Sequence, residues 1–390
     1  MIPRQAKPLL LEAASQYPAV TVTGPRQSGK TTLCRATFPK KRYVNLENLD
    51  QREFAKDDPR GFLASFPDGA ILDEIQRAPD LLSDLQGVLD EKNEPGQFIL
   101  TGSQQFEVMT AITQSLAGRT AMMKLLPLSQ VELLNVGIKL STDAQILNGF
   151  YPRLYGNDQN STQALGNYLM TYVERDIRLL SAVRDLDLFQ RFVRLCAGRV
   201  GQLLNLQSLG NDVGISQPTA RHWLTLLEAS YVVHLLRPWH TKISERQVKT
   251  PKLYFYDVGL AAFLLGAEKE GHIANHPLRG NLYENMVVME ALKYRYNLGK
   301  RSNLYFWRDA KGNEVDLFVE NGPVVSPVEI KSGATIANDY FKSLRFVANK
   351  LPAHSGMSAL VYDGSEKQMR TDVSVWRTQD VAEMMASLSA

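Results

Sequence analysis

The sequence contains few cysteines, little net charge and no long apolar run. Cys34 and Cys196 are the only cysteines among 390 residues, which excludes a disulfide framework and a four-cysteine zinc site and indicates a reducing compartment. The net charge of +3 is too small to indicate nucleic-acid binding by itself, so such binding requires a local basic cluster. The apolar run at residues 8–11 is shorter than a signal-peptide core, and no segment approaches the length of a membrane span. We therefore expect a cytoplasmic protein with no membrane partner.

The composition is otherwise that of an ordinary globular chain. Hydrophobic residues make up 44% of the sequence and charged residues 22%, a balance that is typical of a protein with a packed core. A chain of 390 residues is long for one domain, and this length predicts two or three domains.

A glycine-rich stretch at residues 24–32 is the strongest motif in the chain. It fits the phosphate-binding (Walker A) pattern G-x-x-x-x-G-K-[ST], with a β-branched strand at 19–23 before it and a helix that ends before Pro39 after it. Glycines let the backbone approach a polyphosphate, and the start of the helix supplies free N–H donors. Lys30 is expected at the β- and γ-phosphates, and the Thr31 hydroxyl on Mg²⁺. The predicted ATP ligands are Gly24, Pro25, Arg26, Gln27, Ser28, Gly29, Lys30, Thr31 and Thr32.

Two later strands end in polar residues that suit nucleotide hydrolysis. The first ends in Asp73 and Glu74 (a Walker B pattern), where Asp73 is expected to hold Mg²⁺ through water and Glu74 to polarise the attacking water. The second ends in Thr101 and Ser103 and is predicted to lie between the other two strands. One of these two hydroxyls is the candidate contact for the γ-phosphate or the water; an ordinary turn after a strand is the alternative.

Arg119 is a single arginine that follows a predicted helix. It is a candidate for stabilising charge in the transition state, either within the chain or across a subunit interface. Action across an interface would require a homo-oligomer. An ordinary surface arginine is the alternative, and the sequence leaves all three interpretations open.

The order of these motifs resembles a widespread group of prokaryotic AAA-type P-loop ATPases. The resemblance implies ATP binding and hydrolysis on an α/β core with a parallel sheet, and it implies no particular substrate. The stretches that carry it are Gly24–Thr31, Ile71–Glu74, Phe98–Ser103, Gly118–Arg119, Leu126–Ser129, Gly149–Pro152 and Tyr172–Ile177.

The middle of the chain has helix-turn-helix spacing. Residues 206–214 predict a short helix ending in glycine, Ser216 is a candidate N-cap, and 220–230 predict a second helix, followed by a wing strand at 231–236. Candidates for contact with a DNA groove are Gln217, Thr219, Arg221 and His222. A nearby basic run able to meet phosphates consists of Lys242, Arg246, Lys249 and Lys252. A winged helix that serves only for packing is the alternative.

The last third of the chain has the spacing of a restriction-endonuclease-like (PD-(D/E)xK) site. Asp316 is followed by Glu329-x-Lys331, and side chains two apart on a strand share one face. Two carboxylates can hold Mg²⁺ while a lysine orients or deprotonates water, so Asp316, Glu329 and Lys331 are candidate catalytic residues. Glu284 on the preceding helix is the candidate fourth member, and Glu284, Asp316 and Glu329 are the predicted metal ligands. The ATPase group also carries a nuclease-like fold at this end, and whether that fold cleaves or only binds stays open.

The sequence thus predicts three α/β or helical regions. They are an AAA-type ATPase domain at 1–155, a helical and winged-helix-like region at 156–240, and a nuclease-like domain at 241–390. Two functions remain in competition: an ATPase that drives a nuclease on nucleic acid, and an ATP-gated switch whose non-cutting domain binds DNA or a protein partner.

Overall fold

The computed structural model of the chain forms two compact units, which we describe separately. The first comprises Met1–Leu128, Ala229–Tyr231 and Tyr296–Lys300, and the second comprises Ser129–Glu228, Val232–Arg295 and Arg301–Ala390. The residues described are 1–103, 115–156, 159–173, 185–240, 250–352 and 354–389.

The first unit is built on a five-stranded sheet with the order β2-β3-β4-β1-β5, and every strand pair in it is parallel. This confirms the predicted α/β class. The strands are β1 Ala19–Thr23, β2 Arg42–Asn45, β3 Ala70–Asp73, β4 Phe98–Gly102 and β5 Thr120–Lys124. The helices are α1 Lys7–Gln16, α2 Lys30–Thr37, α3 Leu49–Asp57, α4 Pro59–Ala64 and α5 Leu81–Lys92.

The three central strands of this sheet are buried on both faces. All residues of β1, β3 and β4 are buried, as expected for a parallel sheet covered by helices on each side. Alternate side chains enter two separate cores, with Val20 and Ile99 in one and Leu72 and Leu100 in the other. The strand β4 lies between β3 and β1, which confirms the sequence prediction and brings three strand ends together at one edge.

The second unit contains a six-stranded mixed sheet with the order β12-β13-β11-β10-β9-β8, and a separate antiparallel pair, β6 and β7. In the large sheet β8, β9 and β10 form an antiparallel meander, and β11 joins β10 in parallel. The strands are β6 Val233–Leu236, β7 Lys252–Phe255, β8 Leu304–Arg308, β9 Glu314–Asn321, β10 Val324–Lys331, β11 Ser358–Tyr362, β12 Gln368–Met369 and β13 Val373–Arg377.

Eleven α-helices are found in the remaining described residues. They are α6 Gln130–Leu134, α7 Thr142–Asn148, α8 Ser161–Tyr168, α9 Leu186–Ala197, α10 Leu206–Val213, α11 Gln217–Ala229, α12 Val258–Leu264, α13 Glu270–Ala274, α14 Arg279–Asn297, α15 Lys342–Lys350 and α16 Val381–Leu388. Within the described part of the chain, no helix has the length and apolar character that a membrane crossing requires.

The helix-turn-helix spacing corresponds to α10 and α11. Gly214 ends α10 with a φ of +90°, and the Ser216 hydroxyl accepts a hydrogen bond from the Thr219 N–H at the start of α11, at 3.2 Å. Gln217, Arg221 and His222 are exposed, whereas Thr219 is half-buried. The predicted DNA contact stays a prediction. Residues 174–177, Lys242, Arg246 and Lys249, which the sequence analysis singled out, lie outside the described residues.

Candidate functional site

The glycine-rich loop connects the carboxyl end of β1 to the amino end of α2. Gly29 lies directly before α2 with a φ of +89°, in the left-handed region that favours glycine. Gly24 has a φ of +146°, and a Cβ on it would lie 2.1 Å from the Leu125 carbonyl oxygen. Close packing against the end of β5 therefore requires glycine at position 24, in addition to any need of a phosphate.

Lys30 is buried at the start of α2, with 6% of its surface exposed. Its ammonium donates hydrogen bonds to the carbonyl oxygens of Gly24 and Pro25, at 3.0 and 2.8 Å. Burial lowers the pKa of Lys30 to about 8, although the carboxylates of Glu74 and Asp73 act in the opposite direction. A buried, partly desolvated cation inside the loop fits the binding of an anion.

Asp73 accepts hydrogen bonds from three hydroxyl groups at the edge of the sheet. The Thr31 hydroxyl lies 3.0 and 2.9 Å from the two carboxylate oxygens, and the Tyr43 hydroxyl lies 2.7 Å from one of them. Thr101 on β4 is the third donor. The predicted Mg²⁺ ligands Thr31 and Asp73 are thus in direct contact, and Thr101 is the closer of the two predicted hydroxyls to Asp73.

Glu74 follows β3 in a left-handed conformation, with a φ of +58°. Such a backbone is uncommon for a residue other than glycine and is often found at functional sites. Its carboxylate accepts hydrogen bonds from the Ser103 hydroxyl, at 3.2 Å, and from the Gln76 amide, which also donates to Ser103 at 3.0 Å. The structure therefore brings Glu74 and Ser103 together, and Gln76 holds both.

An arginine close to the N-terminus fixes the loop from outside the motif. The Arg4 guanidinium donates to the Ser28 carbonyl oxygen at 2.5 Å and to the Leu126 carbonyl oxygen at 2.6 Å, which ties the loop to the segment after β5. The Ser28 hydroxyl is buried and has no hydrogen-bond partner among the residues that the structure describes. A buried hydroxyl without a partner inside a glycine-rich loop fits a ligand that accepts a hydrogen bond from it.

Three further residues of the loop motif are Arg26, Gln27 and Thr32. Arg26 lies 3.7 Å from the Glu47 carboxylate, and Arg77 reaches the same oxygen at 4.0 Å. Gln27 has a φ of +61°. Thr32 is exposed on α2.

Arg119 lies at the opposite edge of the parallel sheet. It directly precedes β5, and its carbonyl oxygen accepts a hydrogen bond from the N–H of Ala19, the first residue of β1. Its guanidinium makes a two-pronged ion pair with the Asp90 carboxylate, at 2.5 and 2.9 Å. The loop follows the other end of β1, so the structure does not bring Arg119 to the phosphate loop of its own chain.

In the second unit, the predicted C-terminal residues form a second polar cluster. Glu329 and Lys331 lie at the end of β10, and the Lys331 ammonium is 2.5 Å from Glu329 and 3.7 Å from Asp316 on the neighbouring strand β9. The Asp316 carboxylate also accepts a hydrogen bond from the Ile330 N–H at 2.9 Å, and Ser343 donates to Glu329 at 2.7 Å. The strand alternation therefore brings these three residues together as the sequence predicted.

Lys252 on β7 enters this cluster, although the sequence placed it in a phosphate-binding basic run. Its ammonium lies 2.9 Å from Glu284, 2.6 Å from Glu314 and 4.0 Å from Asp316. Only 3% of its side chain is exposed. It therefore cannot meet a phosphate at the surface, and that expectation for Lys252 was wrong.

The electrostatics of the cluster follow from burial and crowding of like charges. Burial, with the Asp316 carboxylate adding to it, raises the pKa of both Glu284 and Glu329 to about 7. Burial alone would lower the pKa of Lys252, but the carboxylates of Glu284, Asp316 and Glu314 outweigh it and raise that pKa above its ordinary value. Lys252 is accordingly a permanent cation at neutral pH.

A divalent metal does not fit the cluster as it is arranged. A metal requires several carboxylate oxygens that converge on one empty position. Within the described ranges, no group of three or more histidine, cysteine, aspartate or glutamate side chains is spaced to hold a metal ion. The predicted metal role of Glu284, Asp316 and Glu329 is therefore not supported by this geometry, because lysine ammonium groups lie between the carboxylates.

Most of the residues that the sequence did not predict have partners that are distant in the chain. Tyr43 contacts Asp73 thirty residues later, and Lys252 contacts Glu284 thirty-two residues later. Arg4 reaches Leu126 across 122 positions. Gln76 alone had a local signal, because it lies two residues after Glu74.

Comparison with known proteins assigns the first region and matches the rest to domains without a known function. A protein-family model described as "AAA domain" matches residues 16–134. Models described as domains of unknown function, DUF8612 and DUF4143, match residues 139–271 and 279–381. The restriction-endonuclease-like fold thus stays a prediction.

Two mycobacterial proteins are similar over most of the chain. Uncharacterized protein Rv2008c of Mycobacterium tuberculosis and Uncharacterized protein Mb2031c of Mycobacterium bovis are each 30% identical over 336 residues, which is 85% of this chain and 74% of theirs. Among solved structures, the Walker-type ATPase PABY2304 of Pyrococcus abyssi has a TM-score of 0.46 and 15% identity, over 68% of this chain and 96% of that one. AMPPCP-bound DnaA from Aquifex aeolicus has a TM-score of 0.30 and 15% identity, over 57% of this chain and 85% of that one. The chain belongs to the same family as the Mycobacterium tuberculosis protein Rv2008c, and its residues 16–134 are an AAA-type ATPase domain.

Proposed function

We propose that this protein hydrolyses ATP at the loop of residues 24–32 and uses the cycle as a switch for its second unit. The observation that carries the proposal is the contact between the Thr31 hydroxyl and the Asp73 carboxylate, at 2.9 Å. These two groups are the protein ligands that a P-loop ATPase offers to Mg²⁺, and they meet at the edge where the loop begins.

Each residue has a distinct task in this proposal. The Lys30 ammonium moves from the Gly24 and Pro25 carbonyls to the β- and γ-phosphate oxygens. Thr31, and Asp73 through water, would hold Mg²⁺, which would neutralise phosphate charge. Glu74 accepts the proton of the attacking water once its carboxylate leaves Gln76 and Ser103.

The test is ATP turnover by purified variants with intact folding. Lys30→Ala removes a charge at the phosphates and should lower kcat by about 100-fold or more. Glu74→Gln removes the base and should lower kcat by about 100-fold or more while ATP still binds. The matched controls are Lys56→Ala and Glu53→Gln, which alter exposed residues on α3 and should keep normal turnover. Full turnover in both Lys30→Ala and Glu74→Gln would refute the ATPase proposal.

For the second unit we propose a nuclease-like domain that binds without cutting, in place of an active endonuclease. Two features support the nuclease-like fold. The first is the order of elements, in which α14 is followed by the β8–β10 meander, α15 and the parallel strand β11. The second is the shared face of Asp316, Glu329 and Lys331. The insertion of Lys252 among the carboxylates favours the non-cutting alternative.

DNA is the partner that we propose for the exposed start of α11. Arg221 and His222 are exposed there, next to the N-terminal turn of the second helix of a helix-turn-helix. ATP turnover should be measured with and without double-stranded DNA, and cleavage products read from the same tubes. We expect binding that Arg221→Ala weakens, with no cleavage. Equal DNA binding by wild type and Arg221→Ala would contradict DNA contact through the start of α11.

A further inference from the structure

Lys252 is held at the cluster by the fold around its backbone. It is the first residue of β7, where it pairs with Leu236 on β6 and forms an isolated bridge with Leu203. Its ammonium also lies 5.7 Å from the centre of the Phe306 ring, a favourable cation–π position. The side chain thus has little freedom to leave the cluster.

The ammonium takes the position that a shared metal ion would need. Glu284 projects from α14, whereas Glu314 and Asp316 project from β9, and Lys252 lies within 4.0 Å of all three carboxylates. A divalent cation bound there would require oxygen distances of about 2.0–2.6 Å to the same groups, which leaves no room for the ammonium.

We propose that Lys252 is a built-in cation that replaces a divalent metal in the C-terminal cluster, so that the domain is metal-free and does not cleave phosphodiesters. Entry of a metal would displace a buried ammonium from its carboxylate partners, and a buried charge without a partner is strongly disfavoured. The domain therefore keeps the polar residues of a nuclease-like site while Lys252 supplies the charge balance that the metal supplies in a nuclease.

Lys331 provides a matched comparison within the same cluster. It carries the same charge and contacts Glu329 and Asp316. However, 33% of its side chain is exposed, so its ammonium can leave the cluster and be hydrated by solvent. Lys331 is also the lysine that the nuclease-like spacing requires. Removing Lys331 should leave Lys252 in place and the cluster closed to metal.

The experiment is a Mn²⁺ titration of the full chain without nucleotide, followed by the electron paramagnetic resonance signal of free Mn²⁺ and by thermal unfolding. The proteins are wild type, Asp316→Asn, Lys252→Met, Lys331→Met and the double variant Lys252→Met/Asp316→Asn. We expect Lys252→Met to gain one bound Mn²⁺ per chain and a rise in Tm of about 2 °C or more at saturating Mn²⁺. The double variant should lose this gain, and Lys331→Met should show none.

Each outcome bears on the proposal independently of the ATPase assignment. Wild type and Asp316→Asn should bind Mn²⁺ equally, since Asp316 holds no metal in the presence of Lys252. Metal binding by wild type that Asp316→Asn abolishes would overturn the proposal, as would a folded Lys252→Met that binds no additional Mn²⁺. If Lys252→Met does not fold, the comparison of wild type with Asp316→Asn decides alone. ATP turnover of wild type, measured in parallel, reports on the phosphate loop, so a failure of the ATPase proposal is distinguished from a failure of this one.

Discussion

Tyr43 is a positioning residue for the proposed metal ligand Asp73. Its hydroxyl lies 2.7 Å from an Asp73 carboxylate oxygen, and burial together with this hydrogen bond raises the pKa of Tyr43 above its ordinary value. Tyr43 is therefore a neutral donor at neutral pH, and it fixes the orientation of the carboxylate.

Replacing Tyr43 with phenylalanine tests this role. Tyr43→Phe removes one hydrogen bond to a charged group, which should lower kcat by about tenfold and raise the Mg²⁺ concentration needed for half-maximal turnover. Turnover should be measured over a range of Mg²⁺ concentrations, with Tyr17→Phe, a change at a partly exposed tyrosine before β1, as the control. Wild-type Mg²⁺ dependence in Tyr43→Phe would show that Tyr43 only packs against the sheet.

Lys30 should take up a proton when ATP binds above pH 8. Its pKa of about 8 is lowered by burial, so at pH 8.5 most molecules carry a neutral Lys30, whereas at pH 7 most carry the charged form. Polyphosphate beside the amine raises that pKa, so binding at pH 8.5 should take up a substantial fraction of a proton and binding at pH 7 much less.

Calorimetry in two buffers of different ionisation enthalpy measures this uptake directly. The observed binding heats should differ between the buffers at pH 8.5 and nearly coincide at pH 7. Lys30→Arg, which stays charged at both pH values, is the control and should show no buffer dependence. Equal heats for wild type in both buffers at pH 8.5 would mean that Lys30 is already protonated before ATP binds.

The sequence predicts individual site residues that belong to a recognisable local motif. It does not predict residues whose partners are brought close only by the tertiary structure. The glycine spacing predicted Lys30 and Thr31, and the strand ends predicted Asp73, Glu74 and Thr101. Of these, Thr31 and Thr101 contact Asp73 in the structure. Lys252 has no such local signal. Its carboxylate partners come from α14 and β9, so only the tertiary structure could show that a lysine neutralises them.

Gly149 controls how closely two elements of the second unit approach. It follows α7 with φ +68° and ψ −158°, a region open almost solely to glycine, and a Cβ there would lie 2.1 Å from an Asp257 carboxylate oxygen. Asp257 caps α12 and accepts a hydrogen bond from the Phe150 N–H at 2.7 Å, so the two elements are joined through this carboxylate. The resemblance to the ATPase group included Gly149, and the structure supplies its physical reason.

A pair of alanine substitutions compares Gly149 with a glycine that also has a positive φ but open surroundings. Gly266→Ala changes a glycine with a φ of +82° and open space around it, so it should cost only about 1 kcal/mol of unfolding free energy. Gly149→Ala adds both the clash with Asp257 and a backbone region that alanine rarely adopts, and it should cost about 2 kcal/mol more. Urea unfolding of both variants measures the difference, and equal losses would contradict a clash at Gly149.

The elements themselves were largely predictable because their patterns are local. The apolar runs before residues 24, 73 and 103 form β1, β3 and β4. Gly214 ends one helix, and Ser216 caps the next. The role of β7 was not predictable. It reads as an aromatic strand, and its pairing with β6, together with the position of Lys252, depends on contacts distant in sequence.

The division of the chain into compact units is harder to predict from the sequence than its helices and strands. The predicted boundaries at 155 and 240 followed changes in composition, whereas the compact units divide first at Leu128 and the first unit also includes 229–231 and 296–300. Segments that return to a unit from distant positions leave no compositional signal. The boundaries in the sequence analysis therefore stay predictions.

Substitution of Arg119 tests whether ATP turnover depends on association of several chains. It lies at the amino edge of the sheet, paired with Asp90, and the five residues of β1 separate that edge from the loop by about 16 Å. Arg119→Ala should therefore lower turnover per chain by less than about twofold within a single chain. Turnover should be measured over a hundredfold range of protein concentration, with Asp90→Ala as the control that breaks the same ion pair. A much larger loss in Arg119→Ala alone, confined to concentrations at which the wild-type chains associate, would instead assign Arg119 to the site of a neighbouring subunit.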